Sequence, residues 1–240
     1  LKYAEKVASF LGTKHTQIVV SEEIFFNTIP EVIDDISSYD TTTVRASVGN
    51  YLIGKYIAKH SEAKVIFNGD GSDELTGGYM YFHNCASDLE FDSECKRLLG
   101  NIHHFDVLRS DRSISSHGLE TRTPFLDYRL VCTYLSIDRK VRFETHMNHC
   151  EKYIFRKCID VLDPNLLPQQ VLWRTKEAFS DGVSSENKSW FEVIQERVSK
   201  LNHINSLHYN NDTYNNPKTK EQEYYRKIFD DHFNNMGTII

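Results

Sequence analysis

Apolar residues at the start of the chain recur at helical rather than alternating spacing. Tyr3, Val7, Phe10 and Leu11 share one side of a 3.6-residue turn and Gly12 follows as a stop, which predicts a helix over 2–11. His15 to Val20 is a short β-rich run ending at Ser21-Glu22-Glu23, a helix start. The helix that follows carries Ile24, Phe25, Ile29, Val32 and Ile36 toward a core. Residues 47–60 predict another, with Tyr51, Leu52, Tyr56 and Ile57 on one face. Lys64-Val65-Ile66-Phe67 is a different signal, a continuous apolar run of the buried parallel-strand type. It leads straight into Asn68-Gly69-Asp70-Gly71-Ser72-Asp73-Glu74, and open α/β sheets hold ligands at the carboxyl ends of their strands. Past residue 80 strand signals fade. Segments 87–109, 127–136, 148–162, 189–200 and 218–234 read as helices, and the Asn-rich stretch 202–216 as a long loop.

Composition narrows the class. With 240 residues, 40% apolar and 26% charged, the chain has the make-up of a soluble globular enzyme of one large domain or two small ones. A formal charge of −6 argues against a nucleic-acid binder, and no apolar run reaches membrane-spanning length. Cys85, Cys95, Cys132, Cys150 and Cys158 are odd in number and form no C-x-x-C pair, which predicts reduced thiols and a cytoplasmic location. The chain opens at Leu1, inside a predicted helix and without a signal-peptide pattern, so it is expected to continue a longer protein.

The 68–74 turn is the sharpest chemical signal. Two glycines let backbone approach a ligand, and successive amides can form an anion-binding nest. Asp70, Asp73 and Glu74 add carboxylates that suit Mg²⁺ held against phosphate oxygens, although a solvated acidic turn or a calcium loop has the same composition. Thr41-Thr42-Thr43-Val44-Arg45 places three hydroxyls and a guanidinium just before a helix, a phosphate cradle or an ordinary cap. Lys176, in Arg174-Thr175-Lys176-Glu177, could neutralise charge on a phosphate or simply be solvated. Asp106 and Arg109, three apart on one helix, suit an ion pair or a zwitterionic ligand. Glu120 to Asp127 reads as a structural turn. His146, His149 and Cys150 have helical metal-ligand spacing, but no further ligands lie nearby.

Taken in order, these segments resemble the synthetase domain of glutamine-hydrolysing asparagine synthetases. Phe10-Leu11-Gly12-Thr13-Lys14-His15 is similar to F-L-G-T-x-H, and Tyr39 to Ser47 to Y-D-x-T-T-x-R-A-S. Gly69-Asp70-Gly71-Ser72-Asp73-Glu74 with Gly77 to His83 is similar to G-E-G-S-D-E followed by G-G-Y-x-Y-F-H. Gly118 to Asp127 resembles G-x-E-x-R-x-P-F-L-D, and Trp173 to Val183 resembles W-R-x-K-E-x-F-S-D-G-V. The tail from Asn216-Pro217 to Phe233 is similar to that family's terminal helix.

The resemblance implies one synthetase domain over 1–240. Its fold would be α/β, an incomplete adenine-nucleotide-hydrolase-like parallel sheet core followed by a mainly helical C-terminal half. It implies a carbon–nitrogen ligase that converts aspartate to asparagine through β-aspartyl-AMP, using ATP and Mg²⁺, with ammonia from a glutaminase domain upstream. Asn68, Gly69, Gly71 and Ser72 would line the nucleotide, and Thr42, Arg45 and Lys176 would face the phosphates. Asp70, Lys176 and Arg45 would be catalytic, Asp73 would hold Mg²⁺, and Asp106 and Arg109 would lie near aspartate. The family usually has Ser at position 68 and Glu at 70. Its S-G-G-x-D-S pyrophosphate loop is expected before residue 1, so this piece alone is expected to be inactive. A homodimer is a compatible assembly. A β-lactam synthetase-like adenylating enzyme and a non-catalytic remnant of the fold are the competing readings.

Overall fold

The first predicted helix forms as Lys2–Leu11 (α1) and ends at Gly12, whose φ of +66° lets the chain leave the helix without a Cβ penalty. The computed structural model describes residues 2–175, 189–201, 215–234 and 236–238. Lys176 and most of the Asn-rich stretch lie outside the described residues. No described helix is long and apolar enough to cross a membrane.

Contacts among the described residues divide into two compact units, one drawn from 1–19, 67–107 and 122–176, the other from 20–66, 108–121 and 177–240. The second unit is built on α2 (Glu22–Asn27), α3 (Ile29–Ile36) and α4 (Thr41–His60). The single helix expected here is broken in two. Pro30 sits in the first turn of α3 and offers no N–H to α2, while the Thr28 hydroxyl donates back to the Ile24 carbonyl at 2.7 Å. Helix α4 starts six residues earlier than the apolar pattern predicts, because Asp40 accepts the Thr43 N–H at 2.7 Å as its N-cap. Thr41, Thr42 and Thr43 therefore form its first turn rather than precede it.

Two later helices close this unit, and each starts with a capping box. Ser189 and Glu192 cap Trp190–Ser199 (α12), and Thr219 and Gln222 cap Lys220–His232 (α13). Their inner residues, Trp190, Val193, Ile194, Tyr225 and Phe229, complete a core with Ile29, Val32, Ile33, Ile36, Val44 and Val48.

The first unit holds α5 (Ser72–Thr76) and α6 (Asp88–Asn101). It continues in α8 (Tyr128–Ser136), α9 (Arg139–Asn148), α10 (Tyr153–Leu162) and α11 (Gln169–Leu172). Its smaller core is Phe82, Phe91 and Cys95, packed by Tyr79, Leu98 and Phe143. A buried pair, Arg142 with Asp92, ties α9 to α6, and Lys96 also reaches Asp92 at 2.6 Å. The helix expected over 87–109 breaks at a 3-10 turn, Ile102–His104, before α7 (Asp106–Ser115) begins. The helix expected over 148–162 starts only at Tyr153.

Val65–Phe67 (β1) pairs in parallel with Glu120–Arg122 (β2), a strand where the sequence suggested a turn. The Asn68 N–H donates to the Arg122 carbonyl at 3.0 Å, and the Glu120 N–H to the Lys64 carbonyl at 2.7 Å. β1 is not buried as its apolar run predicted: Val65 is 46% and Phe67 74% exposed. His15 to Val20 forms no strand, and Val19 is 80% exposed. Among the described residues the fold is mainly helical with this small parallel sheet.

Candidate functional site

The 68–74 turn begins where β1 stops pairing. Asn68 and Asp70 bond to each other: the Asn68 amide donates from Nδ2 to Asp70 Oδ2 at 2.9 Å, and the Asp70 N–H donates to Asn68 Oδ1 at 3.2 Å. The two positions that depart from the resembling family's pattern are thus one hydrogen-bonded unit. Gly69 has nothing within 4 Å of where a Cβ would stand, so this side of the turn is open to a ligand. Gly71 adopts φ +86° with Leu126 packed where a side chain would go, and Ser72 begins α5 as a buried residue.

Two acidic residues of α5 meet different partners. Asp73 accepts the Lys152 ammonium at 2.6 Å, with both side chains about three-quarters buried. Its Oδ1 also lies 2.0 Å from where a Cβ on Gly78 would stand, so a side chain at 78 would have to displace the Asp73 carboxylate. Lys152 is itself left-handed, at φ +61°, in the residue before α10. Glu74 is buried and takes the Tyr79 hydroxyl, which also reaches Asp106 Oδ2 at 3.5 Å. The carboxylate expected near aspartate is therefore joined through one tyrosine to Glu74, at the end of the 68–74 turn.

No group of three or more His, Cys, Asp or Glu side chains among the described residues is placed to hold a metal. The Asp73 carboxylate, the one expected to meet Mg²⁺, is paired here with the Lys152 ammonium. Of the three residues with metal-ligand spacing, His146 is buried. His146 packs against Phe82 and Phe91 and stacks on His83 at 4.5 Å. Burial, reinforced by His83, pushes its pKa down to about 4.

In the second unit, Thr42 is exposed on the first turn of α4. Arg45 lies one turn on, its Nε and Nη2 donating to Glu221 at 2.6 and 2.9 Å. Burial works against its charge, but the Glu221 carboxylate outweighs this and raises the pKa above the ordinary arginine value. Arg109 sits on α7, three residues beyond Asp106. Lys152, Tyr79 and Glu221 were not singled out in the sequence. Nothing local marks Lys152 or Glu221, since each meets its partner across many residues of chain. Tyr79 lay inside a recognised block without a role.

A mainly helical protein with a parallel strand pair opening into a glycine- and carboxylate-bearing turn is the class that these observations define. The family model described as asparagine synthase matches residues 1–93 and 84–237. Asparagine synthetase [glutamine-hydrolyzing] of Gallus gallus is 46% identical over 232 residues, and that of Cricetulus griseus 45% over 232. The Homo sapiens protein of the same name is 45% identical over 234 residues. Each alignment covers 96% of this chain and 41% of the relative. The chain belongs to the asparagine synthase family, and it spans about two-fifths of the length of the curated relatives it matches.

Proposed function

We propose that this chain is the synthetase part of an enzyme that amidates aspartate to asparagine at the expense of ATP. The observation that carries the reading is the 68–74 turn, where an open Gly69 and the Asp70 and Asp73 carboxylates follow a parallel strand inside a family-matched segment. A carboxylate is a poor electrophile until its oxygen becomes part of a mixed anhydride. The aspartate side-chain oxygen attacks the α-phosphorus of ATP and the bond to the β-phosphate oxygen breaks, giving β-aspartyl-AMP and pyrophosphate. Ammonia then attacks the acyl carbon, loses a proton and expels AMP. Pyrophosphate is a highly charged leaving group, and cations and N–H donors aimed at it supply much of such a rate enhancement.

In this reading Asn68, Gly69, Gly71 and Ser72 line the nucleotide, and Thr42, Arg45 and Lys176 face the phosphates. Asp70 serves the intermediate, and Asp106 and Arg109 hold the aspartyl group. Mg²⁺ arrives with the substrate as MgATP, and Asp73 is the carboxylate offered to it. The relatives' names specify glutamine hydrolysis, which supports glutamine, acted on by another part of the protein, as the ammonia source. The parallel pairing of β1 with β2, fed by α4, supports an adenine-nucleotide-hydrolase-like core. Free cysteines throughout the described chain support a cytoplasmic setting.

The test is exchange of labelled pyrophosphate into ATP by the full-length enzyme. Exchange should require aspartate, and ammonia should divert it to asparagine and AMP. Exchange without aspartate would overturn the reading, and failure to bind ATP at all would favour a non-catalytic member of the family.

A further inference from the structure

Arg45 is gripped on one side only. Glu221 is 1% exposed, and its two oxygens take Nε and Nη2 of the guanidinium in a bidentate fork. Gln195 on α12 donates from Nε2 to Oε2 of the same carboxylate at 2.5 Å. The Phe191 ring, also on α12, lies 4.8 Å from the Arg45 Cζ. The third nitrogen, Nη1, has no hydrogen-bond partner among the described residues, and the side chain keeps 29% of its exposure. A bidentate carboxylate fixes the plane of a guanidinium as well as its place. Here that plane is set by residues from two helices nearly 150 positions or more along the chain, and the edge left over is the one that can meet an anion.

We propose that Glu221 is a positioning residue: with Gln195 steadying its carboxylate and Phe191 under the guanidinium, it fixes the plane of Arg45 and leaves Nη1 as the edge offered to a phosphate. The inference rests on the reading of Arg45 as a phosphate-facing cation and adds what makes that arginine effective. A pair that only ties α4 to α13 would look the same in outline. It would lower stability when broken, yet leave the rate per folded enzyme unchanged.

The experiment measures aspartate-dependent ATP–pyrophosphate exchange in the full-length enzyme, with rates normalised to the folded fraction by near-ultraviolet circular dichroism. Glu221→Gln keeps the size of the side chain and one acceptor, so it disturbs the packing around position 221 less than Glu221→Ala would. We expect Arg45→Ala to slow exchange by about a hundredfold, and Glu221→Gln by about tenfold with the KM for ATP changed less than about threefold. The double variant should be no slower than Arg45→Ala alone, because Glu221 acts only through Arg45. Full exchange by Arg45→Ala would remove the reading on which the inference stands. A slow Arg45→Ala beside a Glu221→Gln of wild-type rate would overturn the inference and leave that reading intact. Losses that multiply in the double variant would also overturn it, since Glu221 would then be acting elsewhere.

Discussion

Two single residues show how local chemistry is set by partners. Asn68 and Asp70 close a reciprocal pair of hydrogen bonds, so the shorter carboxylate is held back against the turn by the amide two residues before it. A serine at 68 has no amide to make that bond. In the full-length enzyme, Asn68→Ser alone should slow asparagine formation more than Asn68→Ser combined with Asp70→Glu. We expect a coupling of about 1 kcal/mol, as for residues in direct contact. Strictly additive effects would show that the pair is incidental. His146 gives a prediction in pH. Its native pKa of about 4 lies below the ordinary 6.5, so between those values the unfolded chain takes up a proton that the native state refuses. Its contribution to stability is intact above pH 6.5 and is lost as the pH falls toward 4. Wild type should lose up to about 2 kcal/mol more than His146→Phe between pH 7 and pH 5. Urea midpoints that fall equally in the two proteins would contradict the shift.

At the scale of elements, caps and glycines decide where helices begin and turn. Asp40 moves the start of α4 up to Thr41 and puts Thr42 and Arg45 on successive turns of one helix. Removing that cap with Asp40→Ala should cost about 1 kcal/mol in urea unfolding. Gly77 ends α5 at φ +69°, and a Cβ there would lie 2.4 Å from Cε2 of the fully buried Phe91 ring. Strain and overpacking add, so Gly77→Ala should destabilise by about 2–4 kcal/mol. A loss below about 1 kcal/mol would mean that the ring yields more readily than a packed core allows.

For the molecule as a whole, the core of the second unit is assembled from both ends of the sequence. Ile29, Val32, Ile33 and Ile36 are completely buried, and Ile194, Val198, Tyr225 and Phe229 are among the residues that cover this core. Removing residues 189–240 would leave that face without its cover, and an uncovered apolar surface of this kind drives association. Such a shortened protein should bind ANS and lose its near-ultraviolet circular dichroism. A monomeric product with native-like aromatic signals would show that α2, α3 and α4 form a core without α12 and α13.

Helical periodicity alone located most helices, because a helix face is written in spacing over a few turns. The breaks were less legible. The helices stop at Thr28 and at Ile102 through hydroxyl back-bonding, a proline and a 3-10 turn, all of which override the apolar pattern. β2 was missed because a three-residue strand carries almost no periodic signal and exists by pairing with β1. The family and the 68–74 turn were legible because contiguous residues build a glycine turn and its carboxylates. Lys152 on Asp73, Glu221 on Arg45 and Tyr79 between Glu74 and Asp106 were not. Sequence determined which residues were present and which short segments they shape. Only the tertiary structure decided which charges meet, because an ion pair depends on distance in space and nothing in local spacing encodes a contact between residues 45 and 221.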